Sequence, residues 1–219
     1  MTLTTFKEIR ALAEERKGGK KALQELLASH KPLTGKHLTA LGDDRYLAMM
    51  TRCVFNAGFN WKVIKNKWEG FEEAFHGFNP KGLSHMSPEK WEAYQDDTRI
   101  VRYWIKIKSV QDNALFLMEE ARQHGSFSKR FADWPVQDQI GLMAYLKKNG
   151  SRLGGNTGMY FIRFIGKDGF ILSRDVVGRL KAAGLEINDQ PASMKDLKQC
   201  QEAFNTWHEE RGLSYTDLS

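Results

Sequence analysis

The chain predicts an all-α fold, and three observations carry that prediction. Apolar residues recur at helical spacing through most of its segments, and runs of alternating β-branched residues are scarce. Serine, asparagine, aspartate, proline and glycine punctuate those segments where helix ends need them. A length of 219 residues is enough for a substantial core.

Phe6, Ile9, Leu12 and Ala13 mark a first helix, and Leu23, Leu26 and Leu27 a second beyond the polar break Lys17–Lys21. The stretch His30–Thr39 holds Pro32 and Gly35 and reads as a loop. Asp43 or Asp44 is placed to cap a helix carrying Tyr46, Leu47, Met50 and Val54. Asn60 caps the next, with Trp61, Ile64 and Trp68 on one face. Gly70 opens a segment that Asn79-Pro80 ends. Ser87-Pro88-Glu89 combines a capping hydroxyl, a proline at the first helical position and an early acidic charge. A long helix runs from Ile100 to about His124 and stops at Gly125. Ser126 or Ser128 starts a short one, and Pro135 separates it from a helix Val136–Arg152. Ser173 caps a helix from Arg174 to about Ala183, stopped by Gly184, and Ser193 caps the last, through Leu197, Phe204 and Trp207. The whole reads as one domain over 1–219: an N-terminal helical extension (1–42), a core (43–183) and a C-terminal helical segment (184–219).

The formal net charge of +6 permits a polyanionic partner without requiring one. Two distant cysteines, Cys53 and Cys200, make no ligand pattern, so reduced thiols and a cytoplasmic protein are expected. The N-terminal residues are too charged for a signal peptide, and no apolar run approaches the roughly 20 residues of a membrane span. The histidines show no metal-ligand spacing.

The most informative stretch is the glycine-rich turn at Leu153, Gly154, Gly155, Asn156, Thr157 and Gly158. Lys147, Lys148 and Arg152 precede it, and Arg163 and Lys167 follow. Glycines let the backbone come close to a ligand, and the free N–H groups of a helix start form a seat for phosphate. The same pattern also suits an ordinary helix–helix turn. Lys106, Lys108 and Arg102 form a basic helical face, read either as solvated or as touching phosphates.

Several motifs, in order, are similar to the DNA-3-methyladenine glycosylase I family. They are Asn56-Ala57-Gly58-Phe59-Asn60-Trp61, then Phe71 to Phe75 and Gly77 to Pro80, and Asp97 to Arg102 with Lys106-Ile107 and Asn113-Ala114. Gly125-Ser126-Phe127, Leu146-Lys147-Lys148, the turn to Tyr160 and Asp175-Val176-Val177-Gly178 follow. The resemblance implies two helical lobes with a cleft, duplex DNA bearing alkylated bases as partner, and a monomer. It implies hydrolysis of the N-glycosidic bond of a flipped alkylated purine such as 3-methyladenine, in base excision repair. Carried onto this sequence, Cys53, Asn56, Phe59 and Trp61 border the base. The turn 153–158, with Lys106 and Lys167, meets DNA.

Departures from the pattern bear on the chemistry. Cys53 stands where the family has a pocket glutamate, and a thiol does not accept hydrogen bonds as a carboxylate does. Ser173 stands near where the wider superfamily places a catalytic aspartate. Asp175 is then the catalytic candidate for electrostatic support, although a carboxylate in a first helical turn also suits the helix dipole. Trp61 and Phe59 read as pocket or as core. Asp175 and Arg179 replace the family's C-terminal zinc ligands, so no metal and no cofactor is expected. The alternative function is a DNA-binding relative without catalysis or with altered specificity.

Overall fold

In the computed structural model, which describes residues 3–28 and 31–219, helices follow one another through short turns. No strand occurs among the described residues. Most ends are set by the residues anticipated for them. Asn60 accepts from Lys62 N–H at 2.9 Å, Ser126 from Lys129 N–H at 2.9 Å, and Ser173 from Val176 N–H at 3.3 Å. Each satisfies an N–H that the helix itself leaves open. Ser87 sits at the N-cap ahead of Pro88, yet its hydroxyl makes no cap hydrogen bond.

The segment expected as a loop before Asp43 contains a short helix, Gly35–Ala40; His30 lies outside the described residues. Thr34 caps the helix, Leu38 is buried beneath it, and the buried Tyr46 hydroxyl donates to Leu38 O at 2.9 Å. Tertiary contacts therefore override the Pro32 and Gly35 signals. The expected helix through Trp61 and Trp68 divides at Lys67 into Trp61–Asn66 and Trp68–Ala74. Gly70 lies inside the second piece, where a Cβ would stand 2.5 Å from Arg99 O. The long helix begins only at Trp104, and the helix after Pro135 covers Gln139–Asn149 behind a 3₁₀ turn.

Buried apolar side chains form one continuous cluster from Phe6 to Tyr215. Its centre is the helix Asp43–Asn56, crossed by the long helix Trp104–His124 and by Asn156–Phe164. Tyr46 meets Phe127 and Phe131 edge-on, each at 5.3 Å, a geometry favoured by the ring quadrupoles. The N-terminal segment is tied to the C-terminal helix Met194–Arg211: Trp207 Nε1 donates to Thr4 O and Phe6 N–H to Glu210, both at 2.9 Å. No helix among the described residues is long and apolar enough to cross a membrane.

Candidate nucleic-acid interface and base pocket

Two helices, Gln139–Asn149 and Asn156–Phe164, enclose the glycine-rich turn. Leu153 is fully buried and plugs the turn into the core. Asn113, on the long helix, grips the turn from below: its Oδ1 accepts from Ser151 N–H at 2.8 Å and its Nδ2 donates to Ser151 O at 3.1 Å. A Cβ at Gly158 would stand 2.5 Å from Leu153 O, so only glycine lets the second helix pack on the turn. Gly155 has φ +57° and ψ −137°, a conformation open to glycine and strained for other residues. It faces open space, and no side chain caps the helix that begins at Asn156. Unclaimed N–H groups thus point outward beside the exposed Lys147, Lys148 and Arg152.

A cavity of about 310 Å³ lies on one side of this turn. Cys53, Asn56 and Trp61 line one wall, and Asn156, Thr157 and Tyr160 come from the hairpin's second helix. Trp61 meets the rings of Tyr160 and Phe164 edge-on at 5.4 and 5.8 Å. Its own surface is 46% exposed, which a core residue would not be. Burial pushes the Cys53 thiol up to about 12, so it is neutral at physiological pH. No carboxylate lines the cavity among the described residues. A larger groove of about 1180 Å³ is lined by Gly155, shares Asn156 with this cavity and is edged by Lys147, Lys148 and Arg174.

The anticipated residues divide sharply. Cys53, Asn56 and Trp61 converge with Asn156 and Thr157 on one cavity, whereas Phe59 does not line it. Phe59 stands 37% exposed, edge-on to Tyr103 at 6.0 Å. Asp175 is exposed on the first turn of Arg174–Ala182, and no residue of the cavity wall belongs to that helix.

Lys106 and Lys167, expected to face phosphate, are instead buried. Lys106 Nζ donates to Phe55 O at 3.2 Å and to Ala57 O, capping the end of the helix Asp43–Asn56, and lies 4.3 Å from the Phe59 ring centroid. Lys167 Nζ donates to Ala132 O at 3.0 Å and Trp134 O at 2.8 Å. Desolvation lowers both ammonium groups to about 8. Their charges are spent on carbonyl oxygens at helix ends, where cations are favourable, and are withheld from the surface. Asn113 and Lys106 hold the two halves of the site, and neither role is marked by local spacing.

The zinc set implied by the resemblance does not fit. Arg179 offers no lone pair to a cation, and no group of three or more potential ligands occurs among the described residues.

The family profile described as methyladenine glycosylase matches residues 37–144, just under half of the chain, and stops short of the glycine-rich turn. A DNA-3-methyladenine glycosylase of Haemophilus influenzae is 31% identical over 58 residues, which is 26% of this chain and 31% of that protein. The aligned stretch therefore spans under a third of that relative's length. Among solved structures, 3-methyladenine DNA glycosylase I from Staphylococcus aureus superposes with a TM-score of 0.52 at 22% identity, covering 63% of this chain and 79% of the other. A further 3-methyladenine DNA glycosylase I gives 0.51 at 22% identity, over 63% and 82%. At that identity the superpositions speak for the fold. Together with the profile match, they make this chain similar to the methyladenine glycosylases in sequence over residues 37–144 and in fold over about two thirds of its length.

Proposed function

We propose that the protein is a DNA repair glycosylase that hydrolyses the N-glycosidic bond of an alkylated purine, such as 3-methyladenine, flipped from duplex DNA. The observation that carries this reading is the cavity between Trp61 and the hairpin's second helix. It stands directly beside unclaimed backbone N–H groups at Gly155 and Asn156. An extruded base entering the cavity leaves its own strand's phosphates close to the turn. The Trp61 face suits a cationic alkylated ring. Such a ring is already a good leaving group, so the protein's share of the work is to hold the base, exclude bulk water and favour the developing sugar cation. Asp175 lies outside the cavity wall, on the first turn of Arg174–Ala182, so this reading rests on the cavity and the turn and not on that carboxylate.

The test is release of free base from methylated duplex DNA. Release of 3-methyladenine well above the spontaneous rate is expected, and release at the spontaneous rate with excess protein overturns the activity. A cavity wall without a carboxylate favours the second reading, a relative that grips DNA but does not excise. That reading expects tight, salt-dependent duplex binding with no base released.

A further inference from the structure

We propose that the groove of about 1180 Å³ beside the glycine-rich turn docks a protein partner, which enters it as an acidic amphipathic helix. Four helices wall the groove. Gln139–Asn149 supplies Ile140, Met143, Ala144 and Lys147, whose i, i+3, i+4, i+7 spacing lays one stripe of that helix along it. Met159 of Asn156–Phe164 and Val177 of Arg174–Ala182 continue the apolar floor. The remaining wall, Pro191 to Leu197, opens the helix Met194–Arg211 and lies beyond the residues that the methyladenine glycosylase profile matches.

Charge, surface chemistry and size define the occupant. Lys147, Lys148 and Arg174 edge the groove, and none of them forms an ion pair among the described residues. The acidic side chain in the lining, Asp189, is already paired with Lys181. Complementarity therefore asks for carboxylates on the partner. Among the described residues no aromatic side chain lines the groove, whereas Trp61, Tyr160 and Phe164 line the smaller cavity. The groove thus offers a nucleobase no ring to stack on, and phosphates held at its rim would leave the floor uncovered. Met143, Met159 and Met194 present thioether surface that adapts to leucine-type side chains, and Met194 stands 52% exposed at the lip. A helix about 10 Å across fills on the order of 1200 Å³ over ten residues, so the groove has room for nearly three turns.

The probe is a fluorescein-labelled peptide of about 14 residues, with leucines on one helical face and glutamates on the other. Two controls carry the same residues in scrambled order, or glutamine in place of every glutamate. Anisotropy with the full chain reads affinity, and methionine ¹³Cε signals read location. The designed helix is expected to bind about tenfold or more tightly than either control. It should move the signals of Met143, Met159 and Met194 and leave that of Met50, in the core, in place. Ala144→Gln and Met194→Gln, both at exposed positions, should each weaken the helix about fivefold or more and leave duplex affinity within about twofold. A control that binds as tightly as the designed helix, or no binding below about 1 mM, overturns the proposal. So do methionine shifts outside the groove, or variants that leave the helix bound as before. Variants that weaken duplex binding instead would give the groove to DNA and overturn it too. Base release plays no part in the readout, so this proposal and the glycosylase reading fail separately.

Discussion

The glycine-rich turn and the cavity share Asn156 and are built on opposite principles. The turn is over-determined: Leu153 is buried, Asn113 clamps Ser151 with two hydrogen bonds, and Gly158 admits no Cβ. The cavity is under-determined, with an orphaned Asn56 Oδ1, a neutral thiol and a half-exposed tryptophan. A backbone that must present N–H groups to a phosphate has to be rigid before the ligand arrives, since any ordering on binding subtracts from affinity. A pocket that receives a flat ring can leave an aromatic face such as that of Trp61 uncovered until it arrives. The contrast places the scaffold's constraint in the turn and its freedom to change specificity in the cavity wall.

The contrast is broken most directly at Gly158. Gly158→Val drives a side chain into Leu153 O, and a loss of about 3 kcal/mol in urea unfolding is expected, with duplex affinity falling alongside. A stability change within about 0.5 kcal/mol would show that the turn is not constrained as described. Trp61→Ala is the counterpart. With nearly half its surface already exposed, it should cost no more than about 1–2 kcal/mol of stability while abolishing measurable free-base binding and leaving duplex affinity in place. Equal damage to duplex and base binding would mean that turn and cavity are one unit.

The smallest effect concerns the buried lysines beneath the two regions. Lys106 and Lys167 titrate near 8, below the ordinary lysine value of about 10.4. Between those pH values the unfolded chain binds more protons than the folded one, so their contribution to stability rises with pH across that window. Lysine ¹³Cε shifts followed from pH 7 to 11 should show these two groups titrating first. Lys106→Met should remove its share of the rise in urea midpoint. Titration of both lysines alongside the exposed ones would sharpen the picture the other way, placing their ammonium groups in water.

Much of the site is legible in local order. The asparagine at Asn60, the serines at Ser126 and Ser173 and the glycines of the turn each act within a few residues of themselves, and the structure uses them as their chemistry suggests. Cys53 and Asn56 fall at the end of one helix and Trp61 at the start of the next, so their convergence is also close to local. Lys106 is different. Its spacing places it on a basic helical face with Lys108 and Arg102, and nothing nearby says that its ammonium group turns inward to Phe55 and Ala57, some fifty residues earlier. Asp175, a catalytic candidate through the resemblance and a helix-dipole partner by its position, lies on a helix that contributes nothing to the cavity wall. The helix Gly35–Ala40 is equally hidden, because the contact with Tyr46 that supports it is not written in its own residues.

Helix punctuation, the tight glycine turn and a thiol rather than a carboxylate at Cys53 all follow from the order of residues, since caps, φ > 0 and side-chain chemistry are local properties. Which charges face solvent, that no carboxylate of the described residues lines the cavity, and which polar atom is left unpaired at Asn56 follow from packing. Burial and desolvation are set by neighbours distant in the chain, and those neighbours meet only when the helices close on one core.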